Sequence, residues 1–273
     1  MTVVASKISK KKYKLSYRKV LYTGIFILFL ILVAPWAFNS LKLFASYGFS
    51  LTQASQHNNY LNFGIAIPRG YMVHGIDISH HQKIINWDEV AAIDVKGIKI
   101  NFAFIKATEG ITRQDRHFTK NWQRSKEAKL IRGAYHFYYP SRDAKKQAEN
   151  FIRAVDLSPG DLPPVLDIEV SKGKSKAEIV KGCKEWCDII ERHYKVKPII
   201  YTNPTFYDKY LKDDFEDYPL WIAHYYKDKP RMDHRDWLFW QHSDCATVRG
   251  IDKPVDLNVF NGDVADLMEL CIK

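Results

Sequence analysis

Pro163-Pro-Val-Leu-Asp-Ile-Glu-Val170 reads as a short apolar strand carrying two carboxylates, Asp167 and Glu169, two residues apart. Strand side chains alternate faces, so residues i and i+2 point the same way at a rise of about 3.3 Å per residue. Val165, Asp167 and Glu169 therefore share one face, and Leu166, Ile168 and Val170 the other. Two like charges this close on a buried strand repel, and each loses hydration. Unless cations pair with them, at least one is expected to have a raised pKa. A carboxylic acid that keeps its proton near neutral pH is what general-acid cleavage of a glycosidic bond requires. The alternative for an Asp-x-Glu triplet is a solvated strand edge, and its surroundings have to decide.

Those surroundings alternate regularly. Strands are expected at His74–Ser79, Asn101–Lys106, Gly133–Tyr139, Pro164–Val170 and Pro198–Thr202. Helices are expected from Trp87, over Lys120–Leu130, Asp143–Val155 and about Lys176–His193, with a short one near Thr205–Leu211. After that the helices fade, and Leu220–Tyr225, Trp237–His242 and Asp256–Phe260 read as strands joined by loops. Alternation of this kind predicts parallel β–α–β packing, and eight strands suffice for a barrel of the (β/α)8 type lacking its last helices. The alternative is an open doubly wound sheet, weakened by the lack of a Gly-rich phosphate loop after the first strand. Barrel enzymes carry their chemistry at the C-terminal strand ends. Polar residues recur there: Asp77, Lys106 to Glu109, His136 and Tyr138, Asp167 and Glu169, Tyr201 and Asn203, His224, Gln241 and Asp256.

The rest of the 273 residues divides by composition. Residues 1–19 contain seven of the 41 Lys and Arg and no acid, leaving 34 basic against 31 acidic residues in the remainder. The overall charge of +10 is thus largely a tail property. The near-balanced body excludes the broad basic surface that nucleic acid demands. Val20–Leu41 has no charged side chain and is long enough to cross a bilayer core as one helix. Tyr22 and Trp36 sit near its ends, and the basic tail favours a cytoplasmic N-terminus. A cleaved signal peptide is the competing reading. However, the apolar run exceeds the usual length, and Ala34-Pro-Trp-Ala37 makes a poor cleavage site. The expected organisation is a basic cytoplasmic tail (1–19), a single transmembrane helix (20–41), a stalk (42–70) and an extracytoplasmic domain (71–273). Cys183 and Cys187 share a helix face and are expected as buried thiols, while Cys245 and Cys271 are left open as a disulfide. Adjacent His80 and His81 face opposite ways on a strand, so no metal site is expected from them.

Several segments together resemble glycoside hydrolase family 25 lysozymes. They are Gly75-Ile-Asp-Ile-Ser79 with His81-Gln82 and Trp87, Phe104-Ile-Lys-Ala-Thr-Glu-Gly110, Gly133-Ala-Tyr-His-Phe137 and Leu166-Asp-Ile-Glu169. Ile200-Tyr-Thr-Asn203, Leu220-Trp-Ile-Ala223, Trp240-Gln241 and Val255-Asp-Leu-Asn258 continue the series in order, so that the resemblance covers about residues 73–262. It implies a flattened (β/α)5β3 barrel, here preceded by the transmembrane helix. It also implies hydrolysis of the β-1,4 bond between N-acetylmuramic acid and N-acetylglucosamine in peptidoglycan, without a cofactor. On these positions Glu169 becomes the general acid, with Asp167, Asp77 and Asp256 completing an acidic cleft. Neighbours on one strand approach the sugar from one side. The substrate's own acetamide oxygen is therefore the preferred nucleophile over a second carboxylate, with Asp167 orienting the acetamide N–H. Tyr135 and Tyr201 are expected as subsite walls, with Trp221, Trp240 and Gln241 as further substrate-binding positions. Lys106 and Glu109 are expected either as an internal ion pair or with Glu109 on the rim. A sugar-binding module without catalysis and an envelope scaffold are the other functional readings of the same fold.

Overall fold

The computed structural model describes residues 57–60 and 62–273, with side chains from residue 62 onward. The basic tail, the apolar span 20–41 and the first part of the expected stalk lie outside the described residues. Among the described residues no helix is long and apolar enough to cross a membrane.

An antiparallel hairpin of β1 (His57–Tyr60) and β2 (Ile65–Pro68) comes first. Eight later strands close into a ring. In chain order they are β3 (Val73–Ile78), β4 (Ile100–Glu109), β6 (Ile131–Phe137), β7 (Val165–Asp167), β8 (Ile199–Thr202), β9 (Leu220–Ala223), β10 (Phe239–Ala246) and β11 (Val255–Phe260). Each pairs with the next around the ring, and the β3–β4 pairing completes it. The two-residue β5 (Arg113–Gln114) folds back on the end of β4, outside the ring. Helices α1 (Trp87–Ala91), α2 (Phe118–Glu127), α3 (Ala144–Ala154) and α4 (Lys176–Tyr194) connect the first five ring strands. A short α5 (Pro204–Phe206), continuing into a π-helical turn over Tyr207–Leu211, leads to β9. Five β–α units followed by three strands is the expected architecture, and the open sheet is excluded by closure. Local signals fix the helix starts. Asp143 accepts from the Lys146 N–H ahead of α3, and Ser175 with Glu178 forms a capping box on α4.

The last strand departs from the simple parallel picture. β11 runs antiparallel to both β10 and β3, with Asp256 opposite Asp77. Asp256 therefore stands at the start of its strand, not at its end. Reversal brings that start to the rim where the other strands finish.

The period-2 alternation sorts side chains into two cores. Leu166, Ile168, Ile179, Trp186, Ile200, Ile222 and Trp240 fill the layer between barrel and helices. Val73, Phe102, Phe104, Val165, Ile199, Trp221 and Phe239 fill the barrel interior. Phe104 stacks on Trp221 with ring centroids 4.3 Å apart and meets Phe239 edge-on at 5.1 Å. These rings dictate two glycines. A Cβ on Gly75 would stand 2.4 Å from the Phe102 ring, and one on Gly133 would stand 2.5 Å from Phe104. Only glycine lets each ring lie flat across the neighbouring strand.

Three boundaries differ from expectation. The end of the stalk is not a linker but the β1–β2 hairpin. Phe63, Ile65 and Ile67 are buried in the outer core, and the Thr247 N–H donates to the Phe63 carbonyl at 2.9 Å. Trp237 precedes β10 instead of starting it. β7 ends at Asp167, so Glu169 projects from the segment just past the ladder. All four cysteines are free, including Cys245 and Cys271. Cys245 is exposed, while the buried Cys271 thiol donates to the Leu267 carbonyl.

Candidate active site

The aromatic floor formed by Phe104, Trp221 and Phe239 supports a cavity of about 260 Å³ at the mouth of the barrel. Asp77, Asp167, Glu169 and Asp256 all line it. Strand alternation explains their convergence: Gly75 and Asp77, Val165 and Asp167, Phe239 and Gln241 are inward pairs, each ending in a polar residue.

Asp77 is the best anchored of the four. Its Oδ2 accepts from Gln241 Nε2 at 2.7 Å and from Asn258 Nδ2 at 2.8 Å. The two amides are themselves held. Gln241 Oε1 accepts from the Tyr201 hydroxyl at 2.7 Å and the Tyr225 hydroxyl at 2.8 Å, and Asn258 Oδ1 accepts from Trp221 Nε1 at 2.9 Å. Burial keeps both tyrosines protonated by raising their pKa. They therefore act as donors, which turns the Gln241 amide NH2 toward Asp77. Asp77 receives donors only, the environment of a carboxylate. Burial raises its pKa, while the bonds from Asn258, Gln241 and Asp256 pull it back. Asp256 is pushed up to about 10, by burial first and then by the Asp77 charge. Asp256 thus keeps its proton and shares it with Asp77.

Asp167 and Glu169 differ. Burial holds Asp167 well above the ordinary range, with Glu169 adding to the rise and Lys106 opposing it. Glu169 is raised by burial and by Asp77, again opposed by Lys106. Asp167 Oδ1 is buried and accepts no hydrogen bond among the described residues. An unsatisfied buried carboxyl oxygen is costly, and a donor from a bound molecule would relieve it.

The cavity also contains Tyr135, Tyr201, Trp221 and Gln241, as expected from the sequence. Their contributions are unequal. Tyr201 presents its ring while its hydroxyl is committed to Gln241. The Tyr135 hydroxyl makes no hydrogen bond among the described residues, and burial raises its pKa well above the ordinary value. Trp240 is a correction: it is fully buried in the outer core, and its Nε1 donates to the His224 carbonyl at 2.9 Å. It faces the helices because it is one residue out of phase with Gln241. His136 and Tyr138, counted among the polar strand-end residues, also face away from the cavity, and His136 is a hydrogen-bonded polar residue of the wall. His136 bonds Thr108 at 2.7 Å, approaches Gln147 at 3.3 Å behind the barrel wall, and is held neutral by burial, with a pKa of about 3. Lys106 and Glu109 do form the ion pair, at 2.7 Å. Lys106 also lines the cavity, whereas Glu109 turns to Tyr139 and Arg113. Among the described residues no group of His, Cys, Asp or Glu is arranged to hold a metal.

The sequence pattern of glycosyl hydrolases family 25 matches residues 76–251. The chain belongs to that family. It is a glycoside hydrolase, and its relatives span bacteria and fungi. YegX of Escherichia coli strain CFT073 is 48% identical over 206 residues, 76% of each chain. Lysozyme M1 of Streptomyces globisporus is 33% identical over 217 residues, covering 72% of this chain and 71% of its own length. The solved family 25 glycosyl hydrolase from Bacillus anthracis superposes with a TM-score of 0.69 at 30% identity, covering 80% of this chain and 99% of its own.

Residues absent from the expectation also line the family 25 cleft: Tyr225, Phe137, Ser79 and His81, with Lys106 placed there. Their parity carried a signal. Continuing the inward series Trp221, Ala223 leads to Tyr225, and Gly133, Tyr135 leads to Phe137. Ser79 and His81 continue the Gly75, Asp77 parity just past the end of β3.

Proposed function

We propose that the protein is a membrane-tethered muramidase that cuts the β-1,4 bond between N-acetylmuramic acid and N-acetylglucosamine in peptidoglycan. The observation that carries this reading is the meeting of four carboxyls in one aromatic-floored cavity, with Asp167 Oδ1 unpartnered at its wall. Lysozyme M1 and the other lysozymes among the relatives support the choice of substrate.

Glu169 donates its proton to the glycosidic oxygen as the bond to the anomeric carbon breaks. The acetamide oxygen of the same sugar attacks that carbon from the opposite side, giving a cyclic oxazolinium ion. Asp167 accepts the acetamide N–H and balances the cationic charge. Ionised Asp77, bridged by the Asp256 proton, stabilises the positive character at the anomeric carbon. Water then gives a proton to the Glu169 carboxylate and adds to the anomeric carbon, reopening the ring with retention. In the free protein, burial raises both Asp167 and Glu169. An N–H donated to Asp167 favours its charged form and so leaves the proton on Glu169. Substrate binding itself selects the correct acid.

The full chain incubated with purified peptidoglycan is expected to release new reducing ends, and Glu169→Gln to lower the rate at least about a hundredfold. N-deacetylated peptidoglycan is expected to turn over far more slowly. A wild-type chain that releases no reducing ends refutes the muramidase reading, and an undiminished Glu169→Gln rate refutes Glu169 as its acid. Undiminished turnover of the deacetylated polymer refutes acetamide participation alone. The tether rests on residues 20–41. A reporter fused after Lys273 is expected to be active only outside the cytoplasm, and activity inside would overturn that topology.

A further inference from the structure

The hairpin formed by the end of β4 and β5 carries a basic rim beside the acidic cavity. Arg113, Gln114 and Arg116 are exposed there, and with His80 and Asp115 they line a separate depression of about 140 Å³. The two hollows adjoin. His81 lines the acidic cavity, and its ring lies against that of His80, with centroids 4.0 Å apart. Lys106 lines the acidic cavity too, and its partner Glu109 stands 3.4 Å from the Arg113 guanidinium. Burial lowers the His81 pKa, and the charges of His80, Lys106 and Arg113 act in the same direction against Asp115.

Buried groups hold this rim in place. The Asp115 side chain is buried, and its carboxylate already accepts three N–H groups. Oδ2 takes the His80 backbone N–H at 2.8 Å and His80 Nδ1 at 3.1 Å, and Oδ1 takes the His117 N–H at 2.9 Å. The amide of Asn150, buried on α3, donates to the carbonyls of Gly110 at 3.0 Å and Arg113 at 3.2 Å. The Asp115 N–H returns to the Ala107 carbonyl at 2.8 Å. A buried carboxylate and a buried amide thus fix the backbone of a segment whose own side chains face solvent. Arg113 makes only the long contact to Glu109, and Arg116 makes no hydrogen bond or ion pair among the described residues. Both guanidinium forks therefore keep donors for a ligand.

In the muramidase reading, Glu169 protonates the bond between a retained muramyl sugar and a leaving N-acetylglucosamine. Glu169 also borders an opening over the ends of β8 and β9, lined by Asn203 and His224, which gives the leaving sugar room. The retained sugar occupies the acidic cavity, with its anomeric carbon at Glu169 and its acetamide, on the next ring carbon, at Asp167. Its lactyl ether stands on the carbon after that. The ether substituent therefore departs along the acetamide flank, away from Glu169. From β7 the wall leading away from β8 is Phe137 on β6, Lys106 on β4 and then His81, next to the basic hairpin. We propose that the hairpin grips a carboxylate carried on this substituent, with Arg113 and Arg116 as its ligands. A carboxylate fits because it offers acceptors only and matches the guanidinium fork, while the four carboxyls of the cavity repel it toward the rim. The inference rests on the muramidase reading, since that reading places the stem-bearing sugar in the cavity. Two sources supply the same chemistry: the free carboxylates of a peptide stem joined to the lactyl group, and the lactyl carboxylate itself once a stem is removed.

The test compares three soluble glycan strands: one with free stem carboxylates, one with every stem carboxylate amidated, and one stripped of its stems. Binding is measured at low salt on the full chain carrying Glu169→Gln, so that the strands stay intact. A strand with a carboxylate is expected to bind about fivefold more tightly than the amidated one, as exposed arginines allow. Adding Arg116→Gln is expected to reduce that preference and adding Arg113→Gln as well to erase it, with lysine at both positions restoring part of it. Arg192→Gln removes an equal charge from the last turn of α4, at the opposite end of the barrel, and is expected to leave the preference unchanged. Preference for the stemmed strand alone assigns the stem, for the stripped strand alone the lactyl group, and for both either source. Equal affinity for all three, binding of none, a preference that survives the double glutamine variant, or one that Arg192→Gln lowers as much as Arg116→Gln, overturns the grip. Cleavage of the amidated strand by the wild-type chain is scored separately. New reducing ends there keep the muramidase reading intact where the carboxylate preference fails.

Discussion

Lys106 lines the cavity with the reacting carboxyls, and its position makes the proposed acid testable by pH. It bonds Glu109 at 2.7 Å and lines the same cavity as Glu169 and Asp167. Burial raises both of those acids, and the Lys106 charge lowers both. The acid must hold its proton, so kcat/KM is expected to fall as pH rises through the Glu169 pKa, which lies above its ordinary value. Lys106→Met removes the opposing charge. Glu169 then holds its proton to higher pH, and the alkaline limb of the pH–rate profile is expected to move upward. A limb that stays in place or moves downward would mean that a different group, or no titration of Glu169, sets it. The Lys106 ammonium also lies over the Phe137 ring, with Nζ 4.8 Å from its centroid. Met keeps an unbranched chain of similar length beside that ring while removing the charge, so the shift reports charge and not collapse.

At the scale of strands and helices, what was legible in the sequence followed from periodicity. Asp167 and Glu169 sit where alternation places them, although the ladder ends between them. Tyr135, Tyr201, Trp221 and Gln241 face the cavity because each lies two positions from another barrel-facing residue. Trp240 faces the helices for the same reason: it is one position out of phase, and residue type outweighed parity in the reading. Ser79 and His81 share the parity of Asp77, but the reading weighed neither as a cleft residue. Strand direction is not written in local composition. The sequence shows eight strands, but only long-range pairing reverses β11 and sets Asp256 against Asp77. The hairpin at residues 57–68 was similarly hidden, since Phe63, Ile65 and Ile67 look like scattered apolar residues until β10 and the outer core are beside them.

For the molecule as a whole, the closed ring stabilises the fold while the acidic mouth works against it. Each carboxyl there loses hydration on folding, and this is a stability cost tied to activity. Asp256 shows the sign most clearly. Its pKa rises from 3.8 to about 10 on folding, through burial first and the Asp77 charge second. Between those limits the folded chain binds the proton that the unfolded chain has released. Unfolding stability therefore declines as pH rises through that window, and the penalty is absent below about pH 4. Asp256→Asn keeps a donor that can face Asp77 and removes the titration. It is expected to match wild-type stability near pH 4, and to exceed it by at least about 1 kcal/mol at pH 8, since one pKa unit is worth about 1.4 kcal/mol. Denaturant midpoints of both proteins across pH 4 to 9 measure this. The gain should be smaller in the Asp77→Asn background, where the charge acting on Asp256 is gone. If the Asp256→Asn variant gains nothing as pH rises, Asp256 is not the protonated partner of Asp77. The proton in that pair would then have to be assigned to Asp77, whose two amide donors would have no carboxylate to serve.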